Sequence, residues 1–224
     1  KTSIDIEWVG YLRADLVWSK PESVDLLAKS GLRSCFFGIE TFHPGAGKSI
    51  DKGWAAKHGK AYIPKLYKDL WNSKINIHLN LIAGLPFETQ ESLKESLEWC
   101  KLQDIGCHNF APLTLYVEKD DIFASSEFTK NYPTYGYKNV NNKTGYWELD
   151  TMTSIDAAKF CRHAQNILID TNRVSCWDVF NGANLGYTTD EVMSWTYKKL
   201  WTIANNDIEN FKNRYISKLK NFAT

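Results

Sequence analysis

The sequence predicts an α/β chain: a partial parallel (βα) TIM-like barrel followed by a mostly helical C-terminal region. Three observations predict it. Four apolar, strand-like runs alternate with three amphipathic segments across residues 4–117, the pattern of parallel βαβ units with right-handed crossovers. The alternation then stops, and residues 118–150 are polar and rich in Tyr, Asn and Lys with no clean period. From Met152 onward a helical period returns without strands. The expected divisions are a barrel portion over 1–117, an irregular polar excursion over 118–150 and a helical region over 151–224.

Each element has a local reason. "IDIEWVGYLRADLV", Ile4 to Val17, is dense in β-branched and aromatic residues and predicts a strand running into a polar loop. In "SKPESVDLLAKSG", Ser19 offers an N-cap and Pro21 stands near the first turn. Val24, Leu27 and Ala28 share one helical face, and Gly31 stops the helix. "SCFFGIET" reads as a short buried strand. A helix is expected over 60–72, with Ile63, Leu66, Tyr67, Leu70 and Trp71 in register. "INIHLNLIAGLP" is the third strand, ended by Gly84 and Pro86. "ETQESLKESLEWCKLQ" is an amphipathic helix, acidic in its first turn as the macrodipole prefers, with Glu88 or Thr89 as its cap. "GCHNFAPLTLYV" closes the series as the fourth strand, and helices are expected over 153–170, 189–204 and 207–222. Four strands do not close a barrel, so a partner is expected at the N-terminal edge, where an open apolar strand invites aggregation.

Composition narrows the function classes. At 224 residues, 43% hydrophobic and 14% aromatic, the chain has ample material for a packed core. A net charge of +1 supplies no global field toward nucleic acid or membrane, so bulk nucleic acid is not an expected partner. No apolar run has the length of a transmembrane helix and no signal peptide is visible, so no membrane partner is expected, and the cysteine usage predicts a cytoplasmic protein. The five cysteines, Cys35, Cys100, Cys107, Cys161 and Cys176, are an odd number placed inside apolar runs and read as reduced, buried thiols. No pair has the close spacing of a zinc ribbon or iron–sulfur ligand set, so no metal ligand is expected within the segment. The Asn142-Lys-Thr144 sequon carries no weight in that setting. Lys1 in place of a start methionine points to a processed chain or an excised piece.

Gly45-Ala-Gly-Lys48-Ser49 looks like the end of a phosphate-cradling loop. Such a loop needs a glycine five positions before its last one, and Phe42 stands there. Pro44 removes a further backbone donor, so a nucleotide triphosphatase ranks last among the readings.

Ligands of parallel α/β folds bind at the carboxyl ends of the strands. Those ends carry Arg13 and Asp15, Glu40 and Thr41, Asn80 with the "GLPFET" turn, and residues 112–116. A cation and a carboxylate at one mouth can hold a zwitterionic ligand by charge-assisted hydrogen bonds. An Arg13–Glu40 ion pair bracing the rim accounts for them equally well. In the turn, Gly84 allows close approach of the backbone to a ligand, and backbone at 82–84 could pair with a purine edge. An ordinary strand-to-helix turn uses the same residues.

The ordered set "WVGYLRADL", "PESVDLLAKSGLRSCFFGIET", "IDKG", "INIHLNLIAGLPFETQESLKESLEW" and "PLTLY" resembles strands three to six of the radical S-adenosylmethionine (SAM) barrel. The closest subgroup is the one often joined to a cobalamin-binding domain. The resemblance covers roughly residues 4–117, and "WELDTM", Trp147 to Met152, is similar to the usual lead into that family's C-terminal helices. It implies that Glu40 and Thr41 contact the ribose or methionine of SAM, and that Lys52 rather than Lys48 reaches its carboxylate. It implies that Asn80, Ile82, Gly84 and Glu88 form the fifth-strand motif supporting adenine. Arg13 would point into the mouth, with Leu115 and Tyr116 near the adenine. Gly45 to Ser49 would then be the loop between a SAM-facing strand and its helix.

The departures matter as much. The family's [4Fe-4S] cluster is held by three cysteines spaced C-x3-C-x2-C, and SAM cleavage to a 5′-deoxyadenosyl radical depends on it. No such spacing exists here, and the second-strand motif for the methionine amine is absent. "YVEKDD" also replaces the usual proline-glycine turn. The resemblance therefore implies the C-terminal piece of a hydrogen-abstracting enzyme, completed by a missing N-terminal barrel segment or a partner subunit, with cobalamin use left open. Tyr132, Tyr135, Tyr137, Trp147 and Trp177 are candidates for stacking on an unidentified substrate, packing between tail and barrel being the plainer explanation for each. The alternative is a cluster-less, non-catalytic half-barrel that binds a ligand or partner.

Overall fold

A computed structural model of the chain describes residues 6–104, 106–115, 127–206 and 208–222. The four expected strands form one all-parallel sheet: β1 (Trp8–Leu12), β2 (Leu32–Glu40), β3 (Asn76–Ala83) and β4 (Cys107–Pro112), in the order β1-β2-β3-β4. Sequential order is that of a barrel arc, whereas a doubly wound sheet reverses direction at a switch point. The α/β class with a helical C-terminal region is thus the observed one.

Helices α1 (Ala14–Ser19) and α2 (Ser23–Lys29) connect β1 to β2, α3 (Pro44–Ser49) and α4 (Gly53–Asn72) connect β2 to β3, and α5 (Gln90–Lys101) connects β3 to β4. Several bounds differ from expectation. The first strand ends at Leu12, because Ala14 and Val17 bury themselves from a helical turn instead. Helix α2 starts at Ser23 with Glu22 in the cap position, not at Ser19. Helix α4 starts seven residues before the clear apolar period and runs through Pro64. Its early turns bury only Ala55, Ala56 and Gly59, small residues that leave little periodic signal. The Gly45–Ser49 loop is itself helical: α3 opens with Pro44 in its first turn, and the His43 imidazole accepts from the Ala46 N–H at 3.2 Å.

One sheet face carries Cys35, Phe37, Ile39, Ile77, Leu79 and Leu81, which share a buried cluster with Ile63, Leu66, Leu70, Leu93 and Leu97 from α4 and α5. Alternate positions line the other face. Strand register sets Tyr11, Phe36, His78 and Cys107 in one row and Gly38, Asn80 and Asn109 in the next. That face is half-open and polar toward the strand ends.

Beyond the sheet come α6 (Glu127–Lys130), a 3-10 turn (Tyr132–Tyr135) and an antiparallel hairpin of β5 (Lys138–Asn141) with β6 (Tyr146–Glu148). Helix α7 (Ser154–Leu168) packs on β4 through Phe160, whose ring lies 5.3 Å from Phe110. Helix α8 (Cys176–Asn184) lies across β1, β2 and β3. It was not expected, since its two asparagines and Gly182 are weak helix formers. The single helix expected over 189–204 is two, α9 (Thr189–Met193) and α10 (Tyr197–Asn206), interrupted where Thr196 bridges to Arg173. Helix α11 (Ile208–Phe222) follows. No helix among the described residues is long and apolar enough to cross a membrane.

The two sheet edges differ. At β4 the Asn172 amide accepts from the His108 N–H at 2.9 Å and donates to the His108 carbonyl at 2.8 Å, so one side chain replaces a neighbouring strand. Among the described residues β1 pairs only with β2.

Candidate functional site

The end of β2 departs from regular strand geometry. Gly38 pairs with Asn80 and Glu40 with Leu81, leaving Ile39 as a bulge. Glu40 adopts φ +68°, and the Thr41 N–H closes onto the Ile39 carbonyl at 2.9 Å, a tight three-residue turn. A left-handed conformation at a non-glycine residue costs about 1–2 kcal/mol, and such strain concentrates at functional sites. The turn buries Thr41 and leaves the Glu40 carboxylate folded back over the strand. Gly38 permits this, because a methyl group there would meet the Glu40 carboxylate.

Glu40 is the middle of a relay across three strands. Lys52, at the N-cap of α4, donates to the Gly38 carbonyl at 2.8 Å and stands 3.7 Å from Glu40 Oε1. The Asn80 amide hydrogen-bonds the same carboxylate. Asn80 Oδ1 accepts from Asn109 Nδ2 at 2.9 Å. Burial pushes the Glu40 carboxyl up from its ordinary value, while the Lys52 charge and the Asn80 hydrogen bond pull it back. Arg13 is exposed and pairs with Asp15 at 2.8 Å, so the rim pair between Arg13 and Glu40 is not formed. Arg13 and Lys52 both line a crevice of about 30 Å³ beside Asp15 and Trp54.

Behind the relay lies a buried brace. Glu88 Oε1 accepts from the Thr41 hydroxyl at 2.6 Å, and Oε2 accepts from the Gly84 and Leu85 N–H groups, each at 3.1 Å. Burial raises its carboxyl to about 7 against the opposing pull of those hydrogen bonds. The Tyr137 hydroxyl donates to the Gly84 carbonyl at 2.6 Å, so both backbone groups of Gly84 are engaged within the chain. With φ at +104° and the Trp147 indole packed against its Cα, Gly84 admits no side chain. Trp147 donates its indole N–H to the Leu113 carbonyl at 3.0 Å. Thr89 caps α5 in a reciprocal box with Ser92.

Of the residues singled out by sequence, Glu40, Lys52 and Asn80 come together and Arg13 stands beside them. Thr41, Gly84 and Glu88 form the brace, Ile82 is half-buried in the core wall and Leu115 is buried. Tyr116 lies outside the described residues. Asn109 was missed; its signal was the polar residue in the inward phase of "CHNFAP", matching Asn80 in "IHLNLIA". Among the stacking candidates, Tyr137 and Trp147 are buried, Tyr132 and Tyr135 pack on the core, and Trp177 alone is exposed. All five cysteines are buried and unpaired, with every thiol pushed up by burial. Among the described residues no three His, Cys, Asp or Glu side chains converge as metal ligands, so these residues do not fit an iron–sulfur cluster.

No family model matches the chain, and no curated protein matches it. Among solved structures it is similar to coproporphyrinogen III oxidase (HemN) from Escherichia coli, described as a radical SAM enzyme, with a TM-score of 0.44 and 14% identity. The match covers 61% of this chain and 34% of that one, so the matched part is about a third of that protein's length.

Proposed function

We propose that the chain is the C-terminal portion of a radical SAM enzyme, and that its strand ends form the protein side of a SAM site. The observation that carries this is the relay Lys52–Glu40–Asn80–Asn109, held at the carboxyl ends of parallel strands by the strained turn at Glu40. Lys52 would meet the SAM carboxylate, Glu40 the ribose hydroxyls or the ammonium, and the two asparagines would fix the orientation. Bound there and reduced by one electron from a [4Fe-4S] cluster, SAM would supply the capacity for hydrogen-atom abstraction from an unactivated carbon. The cluster has no ligand set among the described residues, so it would belong to a further barrel segment or a partner subunit, docked on the open β1 edge. Nothing in the site calls for cobalamin.

Calorimetry with SAM on the chain, alone and together with a cysteine-bearing barrel half, tests this. Binding is expected, weakened about tenfold by Glu40→Gln through loss of a charge-assisted contact. Gly38→Ala, which evicts the Glu40 carboxylate, should weaken it similarly. Failure of SAM to bind even with the second half present overturns the proposal. A second reading, equally compatible with the burial of all five thiols, is a non-catalytic half-barrel that binds a ligand or partner. Binding of SAM without its cleavage by the complete, reduced assembly would support that one instead.

A further inference from the structure

Below the relay, the same sheet face opens into a second cavity of about 310 Å³, walled by β2, β3, β4 and the helices α7 and α8 with the start of α10. Its size is at the lower end for a small-molecule pocket. Its lining has a consistent chemistry. Phe36, Trp177 and Tyr197 contribute rings, and Asp178 contributes a carboxylate. Phe36 and Trp177 are linked through Tyr11, which lies 4.9 Å from Phe36 and 5.8 Å from Trp177, and Phe36 lies 4.8 Å from His78. Asn109 gives its amide N–H to Asn80 and keeps its carbonyl oxygen as an acceptor. Asn172 is occupied at both ends by the His108 backbone.

The balance of charge is one-sided. No lysine or arginine is among the described residues lining the cavity. The two lining histidines, His78 and His108, are buried, and burial lowers each to about 4, so both are neutral at physiological pH. The neighbouring Lys198 is paired with Asp170 at 2.8 Å. The N-terminus of α8 brings about half a positive charge, less than the full negative charge of Asp178 beside it. An anion would therefore meet a net negative charge at Asp178, while a cation would meet a carboxylate and aromatic rings.

We propose that this cavity binds a compact organic cation, an alkylammonium or methylated ammonium group, with Asp178 as its counterion and Trp177, Phe36 and Tyr197 as its walls. The cavity shares Asn109 with the relay but does not rest on the SAM reading: failure to bind SAM leaves the proposal intact, and the converse holds as well.

Choline and its uncharged isostere 3,3-dimethylbutan-1-ol provide the test, titrated by calorimetry and ligand-observed NMR into the 224-residue chain. Choline should bind in the millimolar range or tighter, and the isostere about tenfold more weakly. Asp178→Asn, which keeps an oxygen for the α8 cap, should erase that difference. Trp177→Leu, at a site 43% exposed and so tolerant of change, should weaken choline severalfold. Equal binding of choline and the isostere overturns the proposal. So does absence of binding by choline, butylammonium and guanidinium at millimolar concentration, or an Asp178→Asn protein that keeps the preference. Should Asp178→Asn fail to fold, an unchanged choline affinity in Trp177→Leu overturns it alone.

Discussion

Glu88 holds three donors from two separate turns, yet its carboxyl is raised to about 7 from 4.5 because water is excluded from it. A group whose folded value lies above its unfolded value binds more protons in the native state across that interval. Its contribution to stability is thus complete below about 4.5 and is lost as pH rises through about 7. The swing is on the order of 3 kcal/mol, a sizeable share of a domain's net stability. Glu88→Gln keeps the size and the acceptor for Gly84 and Leu85 but does not ionise. Denaturant melts between about pH 5 and 8 should show the variant gaining on the parent chain as pH rises. Parallel profiles for the two proteins would mean that Glu88 stays ionised in the fold.

Elements with a strong apolar period were legible from sequence, and those formed by small or polar residues were not. The 60–72 period located the later turns of α4, whereas Ala55, Ala56 and Gly59 hid its start. Helix α8 was missed for the same reason, since its burial rests on Cys176, Val179 and Gly182. The site followed a similar rule. Glu40 and Lys52 could be placed by motif, but which charge meets which could not, because the Ile39 bulge and the turn of Glu40 that settle it have no sequence signature. The least legible feature was the closure of β4 by a side chain, where Asn172 in "TNRVS" looks like any loop asparagine. Asn172→Ala would orphan the buried His108 N–H and C=O together. A cost of about 2–3 kcal/mol is expected in urea unfolding, against well under 1 kcal/mol for an ordinary loop asparagine such as Asn142.

For the whole molecule, the contrast between the two sheet edges sets its association behaviour. Strand β4 offers no pairing groups at His108 and is further covered by α7. At β1 the row of backbone groups has no described partner, and Tyr11 beside it is 67% exposed with Trp177 against its ring. A parallel sheet is normally covered on both faces and closed or protected at its edges, and an open apolar edge is a template for another strand. A second copy of the chain can satisfy that edge, but so can the further barrel strands proposed above, and the two must compete. Sedimentation of the isolated chain should therefore give a weight-average mass that climbs with concentration. Tyr11→Lys, placing a charge on the edge, should hold the chain monomeric at the same concentrations. Adding a strand-bearing barrel half should replace self-association by a defined one-to-one complex. A wild-type chain that stays monomeric at high concentration and also ignores the barrel half would mean that the β1 edge is not a docking edge at all.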